Sequence, residues 1–216
     1  MQQGPAAFYG LIGIEWMLRS SIAEGRTFYV GDNSFFDASR GRYFRFARNA
    51  IQQSTLAAPD HERLKALGVA VKPWRKDGRH VVVVEQSEHF LKLVGADQWL
   101  LKVLNTLKGL TDRTIIVRHW SRDKAGAARG LQLDLKNAWA LVTHMSAAAN
   151  EALLAGVPVF TSGACAATPM SSGELEKIET PRYPDGREDW AAGLANSQWT
   201  LEEIRNGTAW RRLNGT

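Results

Sequence analysis

Residues Ala138 to Phe160, AWALVTHMSAAANEALLAGVPVF, predict two buried strands and the helix that joins them. The apolar run from Trp139 to Thr143 is typical of a strand covered on both faces, as strands of parallel sheets are. The run from Ala147 to Ala155 is rich in strong helix formers and ends at Gly156, and Val157 to Phe160 predicts the next strand. The stretch therefore indicates an α/β fold with a parallel sheet.

The segments before this stretch continue the alternation. They predict strands over His80 to Val84 and Arg113 to Val117, and helices over Ala96 to Leu107 and Leu131 to Asn137. Strands that alternate with helices in this way form a parallel, right-handed, doubly wound sheet. We expect this sheet to belong to a domain over residues 80–216.

The first third of the chain predicts a smaller α/β domain over residues 1–75. Its elements are a strand over Ala6 to Tyr9, a helix over Glu15 to Ala23 and a strand over Thr27 to Val30. The basic segment from Lys72 to Arg79, interrupted by Pro and Gly, is the candidate linker. The predicted fold class is α/β, with two small Rossmann-like domains, each with a parallel sheet, and a C-terminal helix.

The remaining segments give weaker signals. A helix is predicted around Asp60 to Leu67 and a short strand over Val69 to Val71. Residues Ser162 to Asn196 are rich in Gly, Ser, Pro and charged residues and predict loops. The C-terminal helix, Thr200 to Asn206, has Thr200 as its N-cap, and the Glu at its third position completes a capping box.

Composition limits the class of protein. The chain has 216 residues, of which 44% are hydrophobic, so it can bury a core. It has no apolar run long enough to span a bilayer and no basic-then-apolar leader, so we expect a cytoplasmic protein without membrane contact. Its single cysteine, Cys165, excludes an internal disulfide. A net charge of +5 favours anionic partners such as nucleic acid, nucleotide-sugars or acidic polysaccharide.

Polar side chains follow the predicted strands at the edge where ligands of open α/β sheets bind. A helix start there offers N–H groups to a phosphate, and an arginine pairs with phosphate in a bidentate manner. The candidate ligand-binding residues are Ser87, Arg118, His119, His144, Ser146, Ala147 and Glu151. Two alternatives are open: the two histidines are structural, and AxxAGVP is only a tight helix-to-strand turn.

The string from Thr143 to Ser146, followed by Glu151 to Val159, resembles the donor-site signature of GT-B glycosyltransferases, especially the capsule-polysaccharide type and small phage relatives. The resemblance implies that the turn and helix start hold a nucleotide diphosphate and that Glu151 binds the ribose. It also matches Arg118 and His119 to a basic pair at that strand end. The tail from Gln198 to Trp210 resembles that of phage proteins that glycosylate modified DNA bases.

Glycosyl transfer needs a base that takes the proton of the acceptor hydroxyl. The GT-B layout implies that this base comes from the N-terminal domain, where Asp32 and Glu15 are the candidates. The alternative for Asp32 is a turn-forming role. The chain lacks an Asp-x-Asp pair, a His and Cys cluster and HExxH, so we expect no metal and no cofactor besides the nucleotide-sugar co-substrate. Further positive charge is expected from the loop Arg122 to Arg129.

The segment from Arg40 to Arg48 interleaves arginines with aromatic residues. Such a pattern can place arginine cations against the phosphates of a nucleic acid and aromatic rings against a base that is flipped out of the helix. The candidate nucleic-acid-binding residues are Arg40, Arg42, Tyr43, Arg45 and Arg48. The alternative is an amphipathic edge strand with a solvated basic face.

These features predict a compact, two-domain glycosyltransferase that moves a sugar from a nucleotide-sugar to a hydroxymethylated pyrimidine in DNA. If the chain is phage-encoded, it would act in the host cytoplasm. The small N-terminal domain would hold a minimal acceptor site or one that a second subunit completes, as in a homodimer. Transfer to a polysaccharide or another small acceptor is the alternative among enzymes. The alternative to an enzyme is a non-catalytic nucleic-acid-binding protein with the same fold.

Overall fold

A computed structural model describes residues 4–11, 13–120 and 130–215. The chain divides into two compact units: unit 1 is Met1–Val69 with Asp189–Thr216, and unit 2 is Ala70–Glu188. The sequence-based boundaries, 1–75 and 80–216, assign the end of the chain to the second domain instead. The end of the chain belongs to unit 1 because a short strand, Trp199–Thr200, pairs with a strand of that unit, Tyr43–Arg48.

Unit 1 contains a mixed sheet with the strand order β1-β2-β3-β8. Its elements are β1 (Ala6–Tyr9), α1 (Glu15–Ala23), β2 (Phe28–Asn33), β3 (Tyr43–Arg48), α2 (His61–Ala66), β8 (Trp199–Thr200), α8 (Leu201–Arg205) and α9 (Thr208–Asn214). Strands β1 and β2 are parallel, whereas β3 is antiparallel to both β2 and β8. The expectation of a parallel sheet is therefore wrong for this unit, because the connection from β2 to β3 is too short for a parallel crossover.

Unit 2 contains the predicted parallel sheet, with the strand order β5-β4-β6-β7. Its elements are β4 (His80–Val84), α3 (Glu88–Leu93), α4 (Trp99–Lys108), β5 (Thr114–Arg118), α5 (Leu131–Leu135), β6 (Ala138–Thr143), α6 (Ala148–Leu154) and β7 (Val159–Thr161). The middle of β4, Val81 to Val83, is fully buried, as are Ala140 and Leu141 of β6. The apolar runs that predicted these strands thus form the core of the unit, and the α/β class is confirmed.

Local structure differs from the sequence-based expectation at three places. Val69 to Val71 forms no strand, and a helix not expected from sequence, α3, begins after Ser87. Helix α7, Arg187–Asn196, lies where loops were predicted. It buries mostly small residues, so its sequence lacks the wide apolar stripe that marks an amphipathic helix. No helix of the described residues has the length and apolar character needed to cross a membrane.

Candidate functional site

The carboxyl ends of the four strands of unit 2 form one row across the sheet. Arg118 is aligned with Val84, Val84 with Thr143, and Thr143 with Thr161. The residues that follow these strands therefore start at the same edge. The chain passes from β4 to β5 on one side and then returns to β6 on the other, so the strand order reverses between β4 and β6. Such a reversal is the place where open α/β sheets bind ligands.

The loops after β4 and β6 flank this reversal point and are joined to each other. The side-chain oxygen of Gln86 accepts a hydrogen bond from the backbone N–H of Met145 at 2.7 Å. Ser87 caps α3, since its hydroxyl oxygen accepts from the N–H of Phe90 at 3.2 Å. The hydroxyl oxygen of Ser146 accepts from the N–H of Ala148, also at 3.2 Å. A hydroxyl that accepts in this way still has its own hydrogen to donate.

Helix α6 begins at Ala148, one residue after the predicted start at Ala147, which is the N-cap. The helix has only seven residues. We therefore assign the anion-binding capacity of this edge to the hydroxyls and the guanidinium rather than to the helix.

His144 follows β6 and is buried. Its Nδ1 lies 2.9 Å from the Ser162 hydroxyl, which accepts the indole N–H of Trp99 at 2.7 Å. The Trp99 ring also contacts the imidazole, with centroids 6.3 Å apart. Burial lowers the pKa of His144 from its ordinary value, so the imidazole is neutral at neutral pH. A neutral, hydrogen-bonded histidine is one of the two roles that the sequence leaves open.

Both basic residues at the end of β5 have a carboxylate partner that the sequence analysis did not identify. The Arg118 guanidinium pairs with Asp134 of α5, a residue that is only 2% exposed. Nδ1 of His119, an exposed side chain, lies 2.9 Å from a carboxylate oxygen of Glu85. The signal for Glu85 was present, because it directly follows β4 in the same row of strand ends. No sequence signal identified Asp134, because only the folded structure brings its helix against the end of β5.

Glu151 lies on α6 and is half-buried. The side-chain amide nitrogen of Gln132 lies 3.4 Å from one of its carboxylate oxygens. The predicted basic loop Arg122 to Arg129 lies outside the described residues. Among those that are described, no group of three or more His, Cys, Asp and Glu side chains is arranged to hold a metal ion.

The two candidate bases lie in unit 1, and each is engaged in local structure. Asp32 of β2 lies opposite Arg45 of β3, and their side chains form an ion pair of 2.6 Å. The other carboxylate oxygen of Asp32 accepts from the N–H of Asn33 at 2.7 Å. Glu15 begins α1 and accepts from the N–H of Gly13 at 3.0 Å. Their role as bases stays a prediction.

Arg45, one of the predicted nucleic-acid contacts, is buried. It is only 7% exposed, and its guanidinium lies 5.1 Å from the ring centroid of Phe35 in addition to its ion pair with Asp32. The strand that carries it is also not an edge strand, because β3 lies between β2 and β8. Alternation along an interior strand turns every second side chain inward, and the carboxylate opposite accounts for a buried cation there.

The other members of this segment are more accessible. Arg48 is exposed, Arg42 donates to the carbonyl of Ala38 at 2.7 Å, and Arg40 forms an exposed ion pair of 3.0 Å with Asp37. The Tyr43 ring lies 5.3 Å from the Arg63 guanidinium. Their role in nucleic-acid binding stays a prediction.

No protein-family model and no curated protein matches the sequence. Several solved structures are similar, and two of them belong to the same protein. One is the beta Kdo 2,7 transferase of Thermosulfurimonas dismutans KpsC, with 12% identity, coverage of 96% of this chain and 85% of that chain, and a TM-score of 0.53. This chain shares that fold. The other, the beta Kdo 2,4 transferase of the same KpsC, has 11% identity, coverage of 94% and 86%, and a TM-score of 0.48.

The first of these similarities concerns the fold, and it extends over nearly the whole chain. The compact GT-B-like fold that the donor-site signature predicted is therefore confirmed.

Proposed function

We propose that this protein is a glycosyltransferase that takes its sugar from a nucleotide-sugar. The observation that carries the proposal is the row of strand ends in unit 2, which brings hydroxyls, a guanidinium and a neutral imidazole to the edge where the strand order reverses. The fold shared with a protein named as a Kdo transferase supports the same reaction class.

In this proposal, the diphosphate of the donor lies between the loops after β4 and β6. Ser87 and Ser146 donate their hydroxyl hydrogens to it, and Arg118, which Asp134 orients, stabilises the negative charge that develops as the sugar leaves. His144 contributes a hydrogen bond but no charge, since burial keeps it neutral. Glu151 accepts hydrogen bonds from the ribose.

For the acceptor, we propose a hydroxyl of a saccharide, deprotonated by Asp32 or Glu15. The name of the structural neighbour supports this class. Burial of Arg45 removes the central cation from the segment on which the DNA hypothesis rests. A hydroxymethylated base in DNA is the second candidate, favoured by the net charge of +5 and by the exposed Arg48.

A screen tests this proposal in two steps. Thermal shift with a panel of nucleotide-sugars identifies the donor, and mass spectrometry then measures the mass added to an oligosaccharide mixture or to hydroxymethylated DNA. A hexose-sized or larger sugar gain on either acceptor supports a transferase and selects the acceptor. Binding of a nucleotide-sugar without any mass added to either acceptor would favour a binding protein over a transferase. No thermal shift with any nucleotide-sugar would overturn the proposal.

The matched variants are Glu151→Gln and Glu176→Gln. Loss of a hydrogen bond to a charged group costs about 1.5 to 3 kcal/mol, so Glu151→Gln should weaken donor binding about 10- to 100-fold. Glu176 is exposed in the same unit and serves as the control. Equal donor affinity in both variants would show that Glu151 does not bind the donor.

A further inference from the structure

Unit 1 contains a cavity of about 290 Å³ that the proposed function does not use. Its walls come from β3, β8, the segment of residues 50–57, the end of α7 and α9. Ligand pockets in proteins start at about 300 Å³, so this cavity has room for one small molecule. All of its lining residues belong to unit 1.

The charge of the cavity wall is entirely positive. Arg48 and Arg212 line it, and none of the described lining residues is an Asp or a Glu. The Arg212 guanidinium is held in place by Asn196, whose side-chain oxygen accepts from it at 2.6 Å and whose nitrogen donates to the carbonyl of Ala58 at 2.9 Å. A guanidinium has five N–H groups, and this bond uses one of them. Because Arg48 and Arg212 carry two positive charges and no described lining residue is acidic, the cavity favours a ligand with two negative charges.

Two polar atoms in the same wall have no hydrogen-bond partner although both are shielded from solvent. They are the indole nitrogen of Trp199 and the side-chain oxygen of Gln53. Trp199 is 3% exposed, and its ring contacts Phe46 at a centroid distance of 6.1 Å. The amide nitrogen of Gln53 is engaged with the carbonyl of Thr55 at 3.1 Å.

A buried polar atom without a partner is destabilising, and native proteins have few of them. A donor and an acceptor in the wall of one cavity point to a ligand that can both accept and donate. A hydroxyl does both. Because both atoms are shielded from solvent, a small shift of the Trp199 ring and a rotation of the Gln53 amide would turn them towards the cavity, where ligand hydroxyls would satisfy them.

We propose that this cavity binds a phosphate monoester of a small polyol, such as a hexose phosphate. The phosphate dianion pairs with Arg48 and Arg212, and hydroxyls of the polyol bind Trp199 and Gln53. The proposal is independent of the donor site in unit 2, since it rests on residues of unit 1 alone.

Isothermal titration of the full chain with four probes tests this ligand class. Glucose 6-phosphate should bind at least tenfold more tightly than glucuronate, which has one negative charge, and than inorganic phosphate, which has no polyol. Glucose should show no binding. Equal binding of glucuronate or of inorganic phosphate would overturn the proposal, as would no binding of glucose 6-phosphate.

Variants then locate the site. Arg212→Ala should weaken the binding of glucose 6-phosphate at least tenfold, whereas Arg211→Ala, next to it on the same exposed helix but outside the cavity wall, should not. Glu151→Gln should leave this binding unchanged, so failure of the donor site and failure of this cavity are separable. A loss of binding in Glu151→Gln would place the ligand in unit 2 and overturn the proposal.

Gln53→Leu gives a readout that a purely structural role would not produce. It removes the unpartnered oxygen together with the exposed bond of the amide nitrogen to Thr55, so the melting temperature of the free protein should change little while ligand binding weakens at least tenfold. Unchanged binding of glucose 6-phosphate to this variant would show that Gln53 does not contact the ligand, and the proposal would fail.

Discussion

Replacement of Arg63 by leucine should destabilise the protein by about 3 kcal/mol at neutral pH. The guanidinium of Arg63 forms two parallel bonds to the carboxylate of Glu203, of 2.7 and 2.8 Å, and it also donates to the carbonyls of Ala195 and Gln198 at 2.9 and 2.7 Å. The two side chains are 18% and 21% exposed. Breaking a fully buried pair costs about 3 to 5 kcal/mol, and partial exposure places this one at the lower end.

The pH dependence gives an independent measure of the same pair. Hydrogen bonding to Arg63 lowers the pKa of Glu203 from 4.5 to about 2. Since the pKa is lower in the folded state, the stability contributed by the ionised carboxylate is fully present above about pH 4.5 and is lost as the pH falls towards about 2. At 1.36 kcal/mol per unit, this shift corresponds to about 3 kcal/mol, an upper bound for a pair that solvent still reaches.

Urea unfolding of the wild type, Arg63→Leu and Glu203→Gln at several pH values measures both quantities. The cost of each substitution should fall markedly between pH 7 and about pH 3, and the double variant should lose less than the sum of the single losses. Arg205→Leu, an exposed position on the same helix as Glu203, is the control. A cost below about 1 kcal/mol at pH 7, or a cost that does not change with pH, would refute the reasoning.

Three further predictions concern single positions. Burial lowers the pKa of His144 below 6.5, so stability should decline as the pH falls from about 6.5, and His144→Asn should flatten that decline in a series of melting temperatures. Gly156 has a φ of +78°, and a Cβ there would lie 2.0 Å from the carbonyl oxygen of Pro73, so Gly156→Ala should cost well over 2 kcal/mol in urea unfolding. Gly186→Ala, with a φ of +79° and open space, should cost only about 1 to 2 kcal/mol, and equal costs would contradict the clash. Arg45→Leu should destabilise by about 2 to 3 kcal/mol, because it leaves its carboxylate partner on β2 without a cation, and a neutral effect on the urea midpoint would contradict this role.

The fold of unit 2 could be predicted from sequence because each signal is local. A strand buried on both faces is an apolar run, and Gly156 ends the helix between two such runs. The capping box of Thr200 and Glu203 is also local, and the structure confirms it. The register then aligns the ends of the strands, so the polar residues after them converge at one edge.

The parts that sequence did not predict depend on partners that no local pattern indicates. Strand β8 has two residues and exists only through its pairing with β3. Arg45 faces inward because Asp32 lies opposite it, and neither residue indicates the other in the sequence. Asp134, which orients Arg118, follows it by 16 residues on α5, and no sequence pattern links the two. Alternating arginines in a sequence do not show whether an arginine is buried in an ion pair or lies on an exposed basic face, because the two-residue period is the same in both cases.

The two proposed sites should respond differently to salt because their cations are balanced differently. At the edge of unit 2, Arg118 lies against Asp134, so a bound diphosphate meets a charge that is already partly neutralised. Donor affinity there must come mainly from hydroxyls and from Glu151, and these contacts change little with ionic strength. In the cavity of unit 1, none of the described lining residues is acidic, so the attraction of Arg48 and Arg212 for a dianion is unopposed and is screened over about 10 Å at 0.1 M salt. Raising the salt concentration should therefore weaken hexose phosphate binding more than donor binding.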